Sequence, residues 1–146
     1  MVDIKPLTPE EMATWPTEVK VKLEKAFEDS RGKIQPLVDM DMKSCVLISS
    51  TPGAVRANHY HKTGWHFCYV VSGEIEYYHR KVGDTTPPKK VIAGPGEMIF
   101  TPPMMEHSMV FKTHSTFITM DRNSRIQEVY EADVVRIPPI EPHSHD

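Results

Sequence analysis

From residue 31 onward the apolar positions come in short runs, most of them alternating with polar ones and each closed by turn residues. KIQPLVD, SCVLISS, ANHYH, HFCYVVSG, EIEYYHR, KKVIAG, EMIFTPP, HSMVFK, STFITM and EVYEADVVRI all read this way. Each run is rich in β-branched or aromatic residues, and the period of two predicts strands. Many short strands at this spacing predict an all-β sandwich or barrel. The first thirty residues differ. TPEE predicts a short capped helix, with Thr8 as N-cap, Pro9 in the first turn and Glu11 in the capping-box position; Pro16 ends it. TEVKVKLEKAF fits two periods. Val19, Leu23 and Phe27 make a helical stripe, whereas Val19, Val21 and Leu23 alternate; the helix is the favoured reading.

Composition narrows the class. The 146 residues suit one domain with a real core, and the 13 prolines and 7 glycines cut the chain into pieces too short for a helical bundle. A net charge of -3 gives no footprint for nucleic acid, and no apolar run is long enough to span a membrane. MVDIKPLTPEE is too polar for a signal peptide, and Cys45 and Cys68, both within apolar runs, suit buried reduced thiols. The expectation is a cytoplasmic protein. Residues 1–44 read as an N-terminal extension, 45–122 as the β core, and 123–146 as a last strand and flexible tail.

The chemistry is concentrated in HYHKTGWH. On a strand His59 and His61 share a face, KTG turns, and His66 opens the next strand sharing a face with Cys68 and Val70. His107 can supply a fourth ring. His79 and His114 are expected in solvent, and His143 and His145 in the tail to chelate adventitiously at most. Cys68 reads as a small core residue, Met104 and Met105 as apolar pocket wall. Tyr77 is either a packing aromatic or a polar handle in the cavity, which makes it the one candidate for a catalytic side chain.

The spacings have a parallel. Gly53, five residues, His59-x-His61, four residues, His66, six residues and Gly73 resemble the first motif of the cupins. Gly96, five residues, Pro102 and then His107 resemble the second. The family normally has glutamate where His66 stands, glycine at Met104 and often asparagine at Phe111. The resemblance implies a double-stranded β-helix, or jelly roll, with one divalent ion (Zn, Fe, Ni, Mn or Cu) held by His59, His61, His66 and His107. Four neutral ligands would leave the ion's charge undiminished, a stronger Lewis acid than with glutamate. Small cupins are often homodimers, so a homodimer is expected.

A second resemblance touches the substrate. FEDSRGKIQPL, with Phe27, Asp29, Arg31 and Gly32, and the stretch RNSRIQEVYEADVVRI are similar to cupins that epimerise or isomerise nucleotide-linked deoxysugars. DSRG is also a good β-turn on any scaffold. The expected function is a metal-dependent isomerase or epimerase acting on a small sugar or keto-sugar. A non-haem iron dioxygenase and a non-catalytic binding module remain as alternatives.

Overall fold

Alternation in the sequence becomes two facing sheets in the computed structural model, which describes residues 2–142. Strands β3 (Ser44–Ser50), β5 (His66–Ser72), β8 (Met98–Thr101) and β10 (Ser115–Asp121) form one antiparallel sheet in the order β3-β10-β5-β8. Strands β4 (Val55–His61), β6 (Ile75–Lys81), β7 (Lys89–Ala93), β9 (Met105–Val110) and β11 (Val134–Arg136) form the other, in the order β11-β4-β9-β6-β7. A separate hairpin joins β1 (Phe27–Asp29) to β2 (Gly32–Ile34).

The inner faces bury one continuous apolar set. Cys68, Val70 and Phe117 from the first sheet meet Ile75, Tyr77 and Met109 from the second, and Phe111 stacks on Phe117 at 5.4 Å. Phe111, at the position where the family often has asparagine, is therefore a core residue. Gly73 closes the β5–β6 hairpin with φ 80°, and a Cβ there would lie 2.2 Å from Ser115 Oγ. Only glycine is at ease in that turn.

Several elements depart from the sequence expectation. TEVKVKLEKAF forms no helix: Val21 N donates to Met98 O and Phe100 N to Val19 O, so the segment lies extended beside β8. The edge of β8 offered unpaired backbone groups, and satisfying them outweighs helix propensity. Val21 and Leu23 then pack with Trp15, Trp65 and Phe100 in a second apolar cluster. EVYEADVVRI is not one strand; α2 (Gln127–Asp133) precedes β11. The strand expected at KIQPLVD is confined to β2, whose register with β1 is closed by Arg31 donating to Asp29.

The short helix α1 (Pro9–Met12) forms as expected, with Glu11 N donating to Thr8 Oγ1 at 3.1 Å. The Glu11 carboxylate does not complete the capping box. It accepts from Trp65 Nε1 and pairs with Arg122, tying the N-terminal segment to the barrel. Cys45 is exposed on the outer face of edge strand β3, against expectation, while Cys68 is fully buried. In the tail, Ile140 is buried and docked; His143 and His145 lie outside the described residues. Among the described residues no helix is long and apolar enough to cross a membrane.

Candidate metal centre and cavity

Register places the polar side chains in two facing rows. In the five-stranded sheet Arg136, His59, His107 and His79 lie directly opposite one another across β11, β4, β9 and β6. In the four-stranded sheet Ser44, Asp121, His66 and Thr101 do the same across β3, β10, β5 and β8. Directly opposed residues share a face. The two rows meet over a cavity of about 170 Å³, whose wall includes His59, His61, His66, His107 and Asp121.

His59, His61 and His107 offer ring nitrogens that all lie within 4.8 Å of one another. His66 faces the same cavity from the opposite sheet, its ring centre 5.6 Å from that of His107, and stands outside this close triad. All four rings therefore converge on one cavity, three of them tightly.

The backbone before His59 is unusual. Ala57 and Asn58 have φ 73° and 57°, and the β4–β9 register shifts between Ala57 and His59. This bulge re-aims the strand so that His59 falls opposite His107. The C-terminal segment braces it. Ile140 N donates to Asn58 Oδ1, and Glu141 accepts from both Asn58 Nδ2 and Ser108 Oγ.

Two of the rings are oriented from behind. His107 Nδ1 lies 2.9 Å from Met105 O, an acceptor, so the proton sits on Nδ1 and Nε2 carries the lone pair. His61 Nδ1 lies 3.3 Å from Asp133 Oδ2. Asp133, at the C-terminal end of α2, also accepts from Thr63 N, Thr63 Oγ1, Gly64 N and Asn123 Nδ2. Burial acts to raise its pKa, but these bonds outweigh burial and hold it well below the usual carboxylate range. Gly64 is required here, since a Cβ would approach Asp133 Oδ2 to 2.7 Å. One buried carboxylate thus fixes the whole turn between the histidine strands.

Burial keeps His59, His66 and His107 neutral. Burial, reinforced by repulsion from His107 and His61, pushes His59 down to about 2. Burial also brings His107 down to about 4 and His66 well below the ordinary value. His61 and His107 each turn one ring nitrogen to a carboxylate or carbonyl acceptor, which leaves the other nitrogen for a divalent ion. The donor set fits one.

Two inward-facing residues were not singled out from the sequence. Asp121 lines the cavity, with Oδ1 3.8 Å from His66 Nδ1, and burial raises its carboxyl above the usual range. Alternation in STFITMD places Asp121 with Phe117 and Thr119 on the inner face, a signal available in the sequence. His79 is buried rather than solvent-facing, and its ring stacks on Tyr77 at 5.4 Å. The same alternation in IEYYH joins it to Ile75 and Tyr77. His114 is exposed. Tyr77 is fully buried below the cavity, 2.6 Å from Thr101 Oγ1, and does not line the wall. Met104 and Met105 are not pocket wall either; Met109 is.

A family model described as the cupin domain matches residues 46–121. The chain belongs to the cupins. The jelly roll is shared with solved structures. One is QdtA, a sugar 3,4-ketoisomerase from Thermoanaerobacterium thermosaccharolyticum in complex with TDP. It is 16% identical with TM-score 0.64, over 82% of this chain and 85% of that one. Another is the epimerase RmlC from Legionella pneumophila in complex with dTDP-4-keto-L-rhamnose, at 16% identity and TM-score 0.62, covering 77% and 69%. A third is the capsular polysaccharide assembling protein CapF from Staphylococcus aureus, at 21% identity and TM-score 0.58, covering 80% and 34%. At these identities the likeness is one of fold. No curated protein matches the chain.

Proposed function

We propose that this cupin is a metal-dependent isomerase or epimerase acting on a small sugar or keto-sugar. One observation carries the reading: three clustered imidazoles on one sheet face a cavity-lining carboxylate, Asp121, on the other. A divalent ion, when bound by His59, His61 and His107 with His66 beside them, supplies Lewis acidity towards a carbonyl or hydroxyl oxygen.

The chain's own residues supply the rest. Asp133 is saturated with donors and serves position alone. Asp121 is available, because among the described residues its carboxylate accepts only from Ser44 and Thr119 side chains, at 3.1 and 3.4 Å. It takes the proton from the carbon beside the substrate carbonyl. Returning that proton to the former carbonyl carbon, while the neighbouring hydroxyl proton passes to the former carbonyl oxygen, gives isomerisation; epimerisation takes its proton from a second donor, such as water, on the opposite face of the same carbon. No electrons leave the pair of molecules, so no oxidant is needed. The cavity of about 170 Å³ is smaller than the roughly 300–1,000 Å³ of drug-sized sites. That size favours one sugar ring, with any larger substituent outside. The sugar ketoisomerase and epimerase activities of the structural neighbours agree with carbonyl chemistry of this kind.

The test uses untagged protein of known metal content, incubated with keto-sugars in D2O and followed by NMR. Deuterium should enter at the carbon beside the carbonyl, and Asp121→Asn should abolish this without removing the metal. Oxygen uptake without exchange would make the protein a dioxygenase instead. A fully loaded protein that binds sugars and catalyses neither reaction would be a binding module.

A further inference from the structure

The arginines of the described residues differ in one respect. Arg31, Arg56, Arg80, Arg122 and Arg136 each donate side-chain hydrogen bonds to protein acceptors. Arg125 donates none among the described residues. A guanidinium has five N–H donors in a fixed fork. The fork of Arg125 is on the cavity wall, 5.2 Å from the ring centre of Tyr130 and 3.8 Å from Asp121 Oδ2. Tyr130 itself packs 5.4 Å from His61, ring centre to ring centre. An oriented, unsaturated fork therefore stands one aromatic ring away from the imidazole cluster.

We infer that the substrate is a sugar bearing an oxyanion, a carboxylate or a phosphate, and that Arg125 binds that group at the cavity mouth. This rests on the reading of the site as a sugar isomerase or epimerase and names its substrate class. Two further observations support it. The cavity wall carries two arginines, Arg56 and Arg125, and two aspartates, Asp121 and Asp133, which cancel formally. A divalent ion held by neutral imidazoles then leaves a positive surplus that an anionic substrate offsets. The position of the guanidinium over the Tyr130 ring restrains it before any ligand arrives, which lowers the ordering cost of a bidentate contact.

The experiment titrates the metal-loaded protein with D-glucuronate, glucose 6-phosphate and glucose, reading binding by ligand-observed NMR. At least one anionic sugar should bind about tenfold or more tightly than glucose, and which one does so separates a carboxylate from a phosphate. Arg125→Gln should weaken that sugar by about ten- to a hundredfold, the range for a lost charged hydrogen bond, and leave glucose unchanged. Arg125→Lys should keep part of the preference, since the charge stays and the fork is lost. The side chain is partly exposed, so equal thermal midpoints should confirm that the variants fold. Equal binding of all three sugars, or an anion preference that survives Arg125→Gln, would overturn the inference. The comparison between variants also removes any direct attraction of the anion to the ion. Arg125-dependent binding without deuterium exchange would retire the isomerase reading and keep the anion site. Exchange on neutral sugars with no anion preference would do the reverse.

Discussion

Four imidazoles divide unequally at the residue scale. His59→Ala removes a member of the close triad and should abolish metal binding, measured by elemental analysis of untagged protein. His66→Glu should keep the metal while lowering turnover, because the carboxylate neutralises one unit of charge. Asp133→Asn should weaken metal affinity by about 10–100-fold, the usual effect of losing a partner behind a ligand, with isothermal titration as the readout. The same rings set a pH limit on the metal-free protein. The folded-state values of His59, His66 and His107 lie below the ordinary 6.5, so the unfolded chain binds protons that the folded chain excludes. Stability is therefore whole above about pH 6.5 and falls as pH drops towards 4, the folded value of His107. Each imidazole costs up to about 1.4 kcal/mol per pH unit across that window. Thermal melts of chelated protein from pH 8 to 5 should show the decline, and a flat profile would mean that the rings are solvated.

Single strands and turns carry the next set of consequences. Met104, where the family usually has glycine, has φ 60° and is exposed, so it meets the left-handed region with a side chain that gains nothing there. Relief of about 1 kcal/mol is expected for Met104→Gly, which should raise Tm by about 2–4 °C in a domain of this size. The bulge at Ala57 and Asn58 is the opposite case. There the conformation is braced by Ile140 and Glu141 and aims His59, so straightening it would cost the site rather than help the fold. The helix α2 shows how an element can read two ways. EVYEAD followed by VVRI alternates well enough for a strand. As a helix it brings Val129, Tyr130 and Asp133 to the cavity wall, and Asp133 reaches the turn between the histidine strands.

For the molecule as a whole, the outer surface bears on assembly. Phe27 and Ile34 face each other across the β1–β2 hairpin with exposures of 59% and 66%, and Leu47 on edge strand β3 is 68% exposed. A two-stranded hairpin is marginal alone, and an open edge invites pairing. A homodimer that covers these residues is expected. Light scattering at micromolar concentration should give twice the chain mass, and Phe27→Ser with Leu47→Glu should return it to monomer. A wild-type monomer would remove this expectation.

Strand periodicity, the turn glycines and the two histidine spacings were present in the sequence, because a period of two and a fixed interval between ligands are local properties of the chain. The period was enough for an all-β sandwich or barrel, and the cupin resemblance carried by the spacings implied the jelly roll and His59, His61, His66 and His107 as inward residues. Alternation also reached Asp121 and His79, though a charged or imidazole side chain at an inner position is easily passed over when only apolar residues are counted. Other features depended on what lay beside each segment after folding. Val19 to Leu23 took the extended form because β8 presented unpaired backbone to it, and no property of those residues alone chooses between the two periods. Glu11 turned from its helix to Arg122 and Trp65 because those groups arrive from more than fifty residues away. Arg125 was one arginine among six until the fold gave the other five acceptors and left it facing the cavity. Local pattern fixes which way a side chain points, and only the packing of distant segments fixes what it meets.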